Sequence, residues 1–356
     1  MSIISYKRLK KKDISGLIKT IKKIKLETKS HNDHLSKLTG WNKRYKLLPS
    51  KKSHVYLAKQ KQEIIGYYHI PTYDFFVSKK KYKIGSIQDV AVIKKYRKKN
   101  IFKRLSNFAI LNSTKYLDLM YTFPNKMSIH TFLRYGNFNY LATLPFYIHP
   151  INSINLLKSK FNFFGLNLLA ILVDLYFNLF SSNVLKNEKI VIINKLDKSV
   201  TNLFEEFSKK HKVYLKRNSQ FLNWRYDGFA NSPYKIIALK KENQLIALAI
   251  IKIDKIFGCN GIIVMDFAYK QLSDFKKILL SMKTLKIPSY KNPSFILLSA
   301  LTIEIRKFGK LGFLKIPSFL VPRNLNLLFR SKSKFINNFL KYKKSWLVTL
   351  SDWDVF

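Results

Sequence analysis

The order of apolar segments in the first 150 residues is the feature that most constrains how this chain can fold. Three strand-like segments come first, and helical and strand-like segments then alternate, which gives the order β-β-β-α-β-α-β after an N-terminal helix. The predicted elements are a helix at 13–28, strands at 54–58, 62–68 and 84–93, a helix at 101–117, a strand at 119–123, a helix at 128–135 and a strand at 138–148. This order predicts a mixed α/β sheet with helices packed on it.

The chain returns to the same kind of alternation after residue 190. The predicted elements are a helix at 199–211, a short helix at 220–226, strands at 234–239, 245–253 and 261–268, a helix at 272–285, a strand at 295–300 and a helix at 304–311. Both halves therefore belong to the α/β class.

A weak internal repeat connects the two halves. Residues 132–150 and 304–322 each contain a helix, a glycine turn, a strand and a terminal proline in that order, with Pro150 matching Pro322. The sequence therefore predicts two tandem copies of one α/β unit, which 356 residues are enough to form. The expected domains are a first unit at 1–150, a hydrophobic connecting helix region at 151–189 and a degenerate second unit with a C-terminal tail at 190–356.

The connecting region contains the most apolar segment of the chain, residues 161–180. As one helix it would be roughly 30 Å long, about the thickness of a bilayer core. Asn167, Asp174 and Asn178 would share one stripe of that helix, and an acidic residue is rare near the middle of a lone spanning helix. Three interpretations remain open: a buried inter-domain helix, a membrane-surface helix flanked by basic residues, and a transmembrane span. The flanking basic residues are Lys158, Lys160, Lys186 and Lys189.

The formal net charge of +46 comes mostly from lysine, and it favours polyanions such as nucleic acid, anionic lipid, anionic glycans and CoA. The same composition is typical of AT-rich coding sequence, so the charge permits these partners without identifying one. Dedicated nucleic-acid binders more often use arginine forks and stacking aromatics, so no specific nucleic acid is expected. Cys259 is the only cysteine, which excludes an intramolecular disulfide and a thiolate metal cluster, and no metal is expected. The N-terminal residues contain no apolar signal region, which predicts a cytoplasmic location.

Residues 86–105 form the segment best suited to binding a phosphate group: a strand, a short basic loop and a helix start. A helix start presents unpaired N–H groups and the positive end of the helix dipole. The loop before it can direct consecutive N–H groups at a pyrophosphate. Arg97, Lys98 and Lys99 place positive charge there. The alternative is a solvated basic turn.

This segment resembles the acyl-CoA-binding segment of the GNAT superfamily, whose loop reads Arg or Gln, two residues, Gly, one residue, then Gly or Ala. Arg97 matches the first position, Asn100 replaces the first glycine and Phe102 replaces the final small residue. Asn tolerates a left-handed backbone best among the non-glycine residues. Tyr96 to Phe102 is also similar to a Tyr-Arg-Gly-Lys-Gly-Ile-Phe run of a bacterial subgroup, which implies work on polysaccharides.

Residues 123–138 resemble the strand–Asn–helix–Gly segment that follows in this family. Asn125 has the position that often contacts CoA, while Phe132 stands where the family often has a Tyr general acid. His130 and Tyr135 are the alternative candidates for that acid. The resemblance implies acetyl-CoA or another acyl-CoA as co-substrate. The expected contacts are Val90, Ala91, Val92, Arg97, Lys98, Lys99, Asn100, Ile101, Phe102 and Asn125.

Acyl transfer to an amine needs a polarised thioester carbonyl and a base for the ammonium proton. The resemblance implies that backbone N–H groups near Val90–Val92 polarise the carbonyl. Asp89 is the only carboxylate on the strand beside the loop, so it is the candidate base or amine-binding residue. An ion pair with a nearby lysine is the alternative.

The second unit has no Arg-x-x-Gly pattern after its central strand, at residues 269–273, so it is predicted to shape an acceptor site. Residues 221–226 and the tail Trp346 to Phe356 resemble runs in the C-terminal half of the same subgroup. The candidates for binding a sugar or phosphate are Trp224, Arg225 and Tyr226. The alternative is a core aromatic cluster with a buried arginine pair.

These observations predict an N-acyltransferase that moves an acyl group from acyl-CoA to the amine of a small molecule or glycan. An amino sugar of a surface polysaccharide or of a lipid-linked precursor is the expected acceptor class, with peripheral association at the inner face of the membrane. Two alternatives remain open. A Fem-type aminoacyl-tRNA-dependent transferase also carries two such units, and a basic surface would suit tRNA. An inactive polyanion- or membrane-binding protein would explain the replaced glycines and Phe132.

Overall fold

The structure, a computed structural model, describes residues 3–28, 37–158, 165–179, 184–226, 232–283, 292–321 and 323–353. The chain forms two compact units. Unit 1 contains Met1–Thr143 and Leu325–Tyr342, and unit 2 contains Leu144–Asn324 and Lys343–Phe356. These boundaries differ from the expected ones at 150 and 190. The strand predicted at 138–148 is in fact two strands, and the chain passes from unit 1 to unit 2 between them.

The elements follow the predicted alternation, but the apolar pattern does not predict all of them. The unpredicted strands are Ile4–Arg8, Glu188–Ile193, Val213–Leu215, Asn326–Ser331 and Trp346–Thr349, and the unpredicted helices are Leu38–Tyr45, Ser153–Lys158 and Lys334–Leu340. The first part of the chain contains β1 (Ile4–Arg8), α1 (Ile14–Thr28), α2 (Leu38–Tyr45), β2 (Ser53–Gln60), β3 (Glu63–Val77), β4 (Lys80–Val92), α3 (Ile101–Ser113), β5 (Leu119–Thr122), α4 (Ile129–Tyr135), β6 (Asn139–Thr143) and β7 (Phe146–Pro150). The remainder contains α5 (Ser153–Lys158), α6 (Leu166–Asn178), β8 (Glu188–Ile193), α7 (Lys198–Lys209), β9 (Val213–Leu215), α8 (Ser219–Tyr226), β10 (Tyr234–Lys241), β11 (Gln244–Ile256), β12 (Cys259–Tyr269), α9 (Leu272–Ser281), β13 (Phe295–Leu301), β14 (Leu314–Lys315), β15 (Asn326–Ser331), α10 (Lys334–Leu340) and β16 (Trp346–Thr349).

Unit 1 is built on one mixed sheet with the strand order β1-β2-β3-β4-β5-β15-β6. Neighbouring strands are antiparallel except for β4 and β5, which are parallel. α1 buries Leu17, Ile21 and Ile24 in the core of this unit, at the helical spacing that the sequence shows. α3 contributes Ile101 and Leu105 to the same core, so both helices are held by their apolar faces.

Unit 2 has a second mixed sheet with the strand order β8-β10-β11-β12-β13-β7-β14, in which β12 and β13 are parallel. Its elements follow nearly the same sequence as those of unit 1, which is a strand, two helices, three antiparallel strands, a helix, a strand, a short helix and a strand; the difference is the short strand β9 between the first two helices of unit 2. Both units also carry a register shift in the first hairpin of this series, at Ala58/Lys59 and at Leu239/Lys240. The predicted α/β fold with mixed sheets is confirmed.

Each sheet takes one strand from a distant part of the chain. β15 lies between β5 and β6 in unit 1, although it follows the other strands of that unit by more than a whole unit of sequence. β7 lies between β13 and β14 in unit 2, although it follows β6 directly. Helix, glycine and strand are present in both segments of the predicted repeat, but the strand at the place that corresponds to β7 is Asn326–Ser331. It is not the segment before Pro322, a residue outside the described part of the chain.

The apolar segment 161–180 is described only as α6 and its first flanking residues. Among the described residues, no helix is long and apolar enough to cross a membrane. α6 is not a buried helix either, because its leucines are largely exposed, and only Leu166, Ala170 and Phe177 are buried.

Candidate functional site

The parallel ladder of unit 1 ends before β4 does, because β5 ends at Thr122. The ladder between β4 and β5 ends at the pair Ile87–Thr122, where the Thr122 hydroxyl donates a hydrogen bond to the Ile87 carbonyl at 3.1 Å. β4 continues past this pair to Val92 and there pairs only with β3 among the described strands. The predicted thioester-binding residues Val90, Ala91 and Val92 therefore lie on a strand edge that β5 does not cover. We call this feature the β4–β5 opening.

A bulge in β4 lies beside this opening, at Asp89. The register between β3 and β4 shifts between Tyr67 and His69, and the Asp89 backbone adopts a left-handed conformation with φ 43°. His69 Nδ1 lies 3.1 Å from the Asp89 carbonyl oxygen, and Trp41 Nε1 donates to His69 Nε2 at 3.0 Å. Because Nε2 accepts, Nδ1 carries the proton and donates to Asp89. A Trp–His pair thus holds the bulge from the core side.

The Asp89 carboxylate is held by two residues at the end of α2. Arg44 Nε lies 3.2 Å from Asp89 Oδ2, and the Tyr45 hydroxyl donates to the same oxygen. The Tyr45 ring also stacks on His69, with centroids 4.1 Å apart. Asp89 is therefore in an ion pair with an arginine, whereas the alternative expected from the sequence was an ion pair with a lysine. Its side chain keeps 26% exposure, so a carboxylate oxygen remains within reach of an incoming ammonium group.

Sequence reasoning missed Arg44 and Tyr45. The signal was present, since α2 ends in Arg44-Tyr45 and its counterpart α8 ends in Arg225-Tyr226. Only Arg225 and Tyr226 were predicted to bind a ligand, because the apolar pattern predicts no helix between residues 28 and 54.

The basic loop is fixed at three points before α3 begins. It forms a 3-10 helix at Lys94–Lys99, and the Lys94 N–H donates to Glu27 Oε2 at 2.9 Å. The Tyr96 hydroxyl donates to Glu63 Oε2 at 3.3 Å, and Arg97 Nε donates to the Val92 carbonyl at 3.0 Å. Arg97 is exposed, while the side chains of Lys98 and Lys99 lie outside the described part of the structure. The loop therefore has a defined conformation that these three contacts hold.

Asn100 adopts the left-handed conformation that the loop pattern assigns to glycine, with φ 55° and ψ 16°. The first intrahelical hydrogen bond runs from the Arg104 N–H to the Asn100 carbonyl at 3.0 Å. The N–H groups of the first turn, from Ile101 onwards, therefore have no partner within the helix. This is the arrangement that suits a phosphate group.

Phe102 and Phe132, the two aromatic departures from the family pattern, contact each other. The two rings pack edge to face with their centroids 6.2 Å apart, and the Phe132 ring packs in the same way on Phe138 with centroids 5.4 Å apart. Phe132 is buried, and Phe102 packs against the core of unit 1. The bulky residue at the sixth loop position is thus accommodated on the inner side of α3 by the apolar residue at the position of the family's tyrosine.

The other predicted residues lie on or before α4. Asn125 Oδ1 accepts the N–H groups of Met127 at 3.1 Å and Ser128 at 3.0 Å, so it caps the start of this segment. His130 and Tyr135 are exposed on α4, and the Lys103 ammonium lies 3.9 Å from the centre of the Tyr135 ring. Among the described contacts, neither His130 nor Tyr135 reaches Asp89, so both remain predictions for the general acid.

The equivalent place in unit 2 is filled by its own C-terminal tail, residues 346–353. The parallel ladder ends at Val264–Leu298, and beyond it β13 pairs with β16 through Ala300–Thr349 and Leu301–Val348. Asp266 on β12 is fully buried and accepts a hydrogen bond from the Thr349 hydroxyl at 3.1 Å. The opening that unit 1 presents to solvent is thus occupied by protein in unit 2.

A buried arginine locks this tail. Arg217 Nε donates to Asp266 Oδ2 at 2.7 Å, and its Nη2 donates to Asp352 Oδ2 at 2.7 Å. Burial alone would lower the pKa of Arg217, but Asp266 and Asp352 outweigh it and raise that pKa. The guanidinium is therefore charged and bridges strand and tail.

The predicted sugar-binding residues take part in the same packing. Arg225 donates to the carbonyls of Ser351 and Trp353, each at 3.0 Å. Tyr226 is fully buried, and Trp224 lies beside Phe221 at 6.0 Å. These contacts agree with the alternative of an aromatic cluster in part, since Arg217 is buried but Arg225 and Trp224 are only half-buried. Residues 354–356 of the predicted tail lie outside the described part of the chain.

We expect the protein to lose stability as the pH falls from 6.5 towards 4, and His69 to contribute to the loss. Burial lowers the pKa of His69 from 6.5 to about 4. The unfolded chain therefore takes up the proton first, and acid favours unfolding in this window. The contribution of His69 to the free energy of unfolding falls by about 2 kcal/mol between pH 7.5 and pH 5.

Urea unfolding at these two pH values measures the effect. A His69→Phe variant should lose about 2 kcal/mol less than the wild type over the interval. The buried histidines His54, His149 and His211, whose pKa values burial also lowers to about 4, are common to both proteins. Equal losses in the two proteins would show that His69 is not held neutral in the fold.

Comparison with known proteins agrees with this geometry. Residues 5–140 match the model of the acetyltransferase (GNAT) domain family. No curated protein matches the chain significantly. The matched residues include Asp89, both strands of the opening and the whole basic loop.

The whole chain has solved structural relatives. A GCN5-related N-acetyltransferase from Anabaena variabilis ATCC 29413 is similar with a TM-score of 0.62 and 9% identity over 95% of this chain and 74% of that chain. A conserved protein of unknown function from Enterococcus faecalis V583 gives a TM-score of 0.62 and 11% identity over 96% and 74%. A GCN5-related N-acetyltransferase from Kribbella flavida gives a TM-score of 0.55 and 7% identity over 93% of this chain and 71% of that chain. At these identities the likeness establishes the fold alone. Residues 5–140 therefore form an acetyltransferase (GNAT) domain, and the chain as a whole has the fold of these solved structures.

Proposed function

We propose that this protein transfers an acetyl or other acyl group from acyl-CoA to an amino group, and that unit 1 alone performs the transfer. The observation that carries the proposal is the combination of an uncovered β4 edge, a pre-formed basic loop and a carboxylate at one place in unit 1. In unit 2 the corresponding place is filled by the tail and contains no such loop. The second unit is then a degenerate copy that does not bind acyl-CoA.

The residues of unit 1 fit an acyl-CoA. Asn100 supplies the left-handed turn, the first-turn N–H groups of α3 and the exposed Arg97 face the phosphate charge, and Phe102 packs on the core. The acyl-CoA supplies the activated thioester. Backbone N–H groups on the β4 edge at Val90–Val92 would polarise its carbonyl as negative charge develops there.

Asp89 has the role of orienting the acceptor and receiving its proton, directly or through water. Arg44, Tyr45 and the His69–Trp41 pair fix its position. Since Arg44 already neutralises part of its charge, the acceptor ammonium must bind at the exposed edge of the carboxylate. Phe132 has no proton to give, so protonation of the leaving thiolate is assigned to a group other than the residue at this position, with His130 and Tyr135 as candidates.

The acceptor class we propose is an amino sugar of a surface polysaccharide or of its lipid-linked precursor, reached from the cytoplasm at the inner face of the membrane. The support is the similarity of Tyr96–Phe102 to a polysaccharide-related subgroup and the net charge of +46, which attracts acceptors that carry phosphate. No specific nucleic acid is required.

Thermal unfolding with acetyl-CoA tests the acyl-CoA site. At about 100 times its Kd, acetyl-CoA should stabilise the folded protein by roughly 2.7 kcal/mol, and AMP at the same ionic strength should not. Arg97→Glu should abolish the shift. The matched control Lys115→Glu makes the same charge change at an exposed residue just after α3 and should keep the stabilisation by acetyl-CoA. Asn100→Gly should keep it as well, because glycine adopts the same backbone conformation.

Two results would contradict the proposed acyl-CoA site. Equal stabilisation by AMP and acetyl-CoA would indicate unselective polyanion binding, and no stabilisation by either would favour the aminoacyl-tRNA-dependent alternative. Asp89→Asn separates binding from chemistry, since it should leave acetyl-CoA stabilisation intact and lower the rate of amine acetylation by about 10² or more. An unchanged rate would remove Asp89 from the mechanism.

A further inference from the structure

One face of α6 in unit 2 is apolar and exposed to solvent. Six side chains of this face are between 43% and 64% exposed. They are Leu168, Leu169, Ile171, Leu172, Leu175 and Tyr176. At 100° per residue these six positions span an arc of about 160° on the helix. Single exposed leucines are ordinary, but a contiguous apolar face marks an interaction surface.

The orientation of α6 is fixed with this face outwards. Asp174 Oδ1 accepts the backbone N–H of Ser153 at 3.0 Å, at the start of α5. Lys283 Nζ, at the end of α9, donates to Asn178 Oδ1 at 3.2 Å and to the Phe177 carbonyl at 3.3 Å. Two of the three polar residues in the predicted stripe are thus turned towards the rest of unit 2. Rotating the leucines inwards would break these hydrogen bonds, so the usual arrangement of a surface helix is reversed.

The charges around α6 select the kind of surface that covers it. Asp174 is the only ionisable side chain within α6 apart from a tyrosine, and it faces inwards. Lys158 precedes the helix, Lys186 and Lys189 follow it, and all three are exposed. The whole chain adds a net charge of +46. An apolar face between basic residues is complementary to an anionic bilayer, where acyl chains cover the leucines and headgroups meet the lysines.

We propose that α6 docks unit 2 on the surface of an anionic phospholipid membrane, with the apolar face inserted at the boundary between headgroups and acyl chains. A helix of this length extends about 20 Å, so it lies in the membrane plane and does not cross a core of about 30 Å. The docking is independent of acyl transfer, because it uses a surface of unit 2 and the proposed reaction uses unit 1.

Vesicle co-sedimentation of the full chain tests the docking. Vesicles of phosphatidylcholine with phosphatidylglycerol are compared with vesicles of phosphatidylcholine alone at one fixed ionic strength. The test variant is Leu172→Gln with Leu175→Gln, and the matched control is Leu26→Gln with Leu111→Gln, two exposed leucines on α1 and α3. Both variants keep every charge of the wild type, so charge-driven adsorption is the same in all three proteins.

The test variant should bind the anionic vesicles at least about tenfold more weakly than the wild type, whereas the control should bind within about twofold. All four leucines are exposed, so both variants should keep the wild-type unfolding midpoint and acetyl-CoA stabilisation. Equal binding of both variants would overturn the proposal, because adsorption would then be due to charge alone. A wild-type dimer that the test variant converts to a monomer, without vesicle binding, would show that a second copy covers the face and would also overturn it.

Discussion

A fragment of residues 1–150 should fail to fold, whereas residues 1–143 joined to 326–342 by a two-residue Asn-Gly turn should form unit 1. The first fragment ends where the sequence pattern predicts a domain boundary, but it lacks β15. Leu327, Leu328 and Phe329 of β15 are almost completely buried. At 1.5 to 3 kcal/mol for each side chain, their loss costs roughly 5 to 9 kcal/mol, which is comparable to the whole stability of a domain.

The second fragment restores the sheet with a short connection. Thr143 and Asn326 are direct register partners in the antiparallel pair of β6 and β15, and their side chains are hydrogen-bonded at 2.6 Å. A two-residue turn between such partners is the usual β-hairpin connection, and Asn-Gly is its preferred sequence. The joined fragment also omits β7, which would otherwise be an apolar strand without a partner.

Circular dichroism, urea unfolding and amide exchange of the two fragments provide the measurement. The joined fragment should unfold cooperatively and bind acetyl-CoA, while fragment 1–150 should aggregate or show no cooperative transition. A cooperatively folded 1–150 fragment would mean that unit 1 does not require β15, and that its stability does not depend on a strand from a distant part of the chain.

Replacing Arg217 by methionine should destabilise unit 2 by about 3 to 5 kcal/mol. The substitution keeps an unbranched side chain of similar length but removes the cation between Asp266 and Asp352, both of which are buried. Two carboxylates would then share a site without a positive partner. The Arg217 hydrogen bonds to Thr349 at 3.1 Å and to the Leu215 carbonyl at 3.2 Å would be lost as well.

Urea unfolding measures the loss, and limited proteolysis reports on the tail, which should become cleavable near residues 346–353. The matched control is Lys252→Met in the pair Lys252–Asp254, whose charged atoms are 2.8 Å apart but partly exposed. That change should cost less than about 1 kcal/mol. If Arg217→Met proved as mild as the control, the tail would be held by apolar packing alone and the arginine would not be its lock.

The fold class could be predicted from the sequence because the apolar pattern of each element is local. β2, β3, β4, α3 and β5 each carry their apolar period in a continuous segment, and burial of that face fixes the element. β1 and β15 were missed for a shared reason. Each is a short strand with a mixed pattern, Ile4–Arg8 and Asn326–Ser331, whose pairing partner lies elsewhere in the sequence. Register with a distant strand is not encoded in the strand itself.

In the candidate site, too, the sequence predicts the residues of one continuous segment but not those that come from distant elements. The basic loop, Arg97, Asn100 and the carboxylate Asp89 could be found from the sequence, because they lie within one continuous strand–loop–helix segment. The ion pair of Asp89 with Arg44 and the support of its bulge by His69 and Trp41 could not, because these residues come from α2 and β3.

The sequence by itself therefore determined two α/β units and one basic loop at a helix start, since both depend on the period and chemistry of neighbouring residues. Only the tertiary structure decided which unit keeps its opening. In unit 1 β5 ends at Thr122 and leaves the last residues of β4 uncovered, and in unit 2 Arg217 holds the tail at the corresponding place. The tail is far from β12 in the chain, and only burial and charge pairing in the folded state bring the two together.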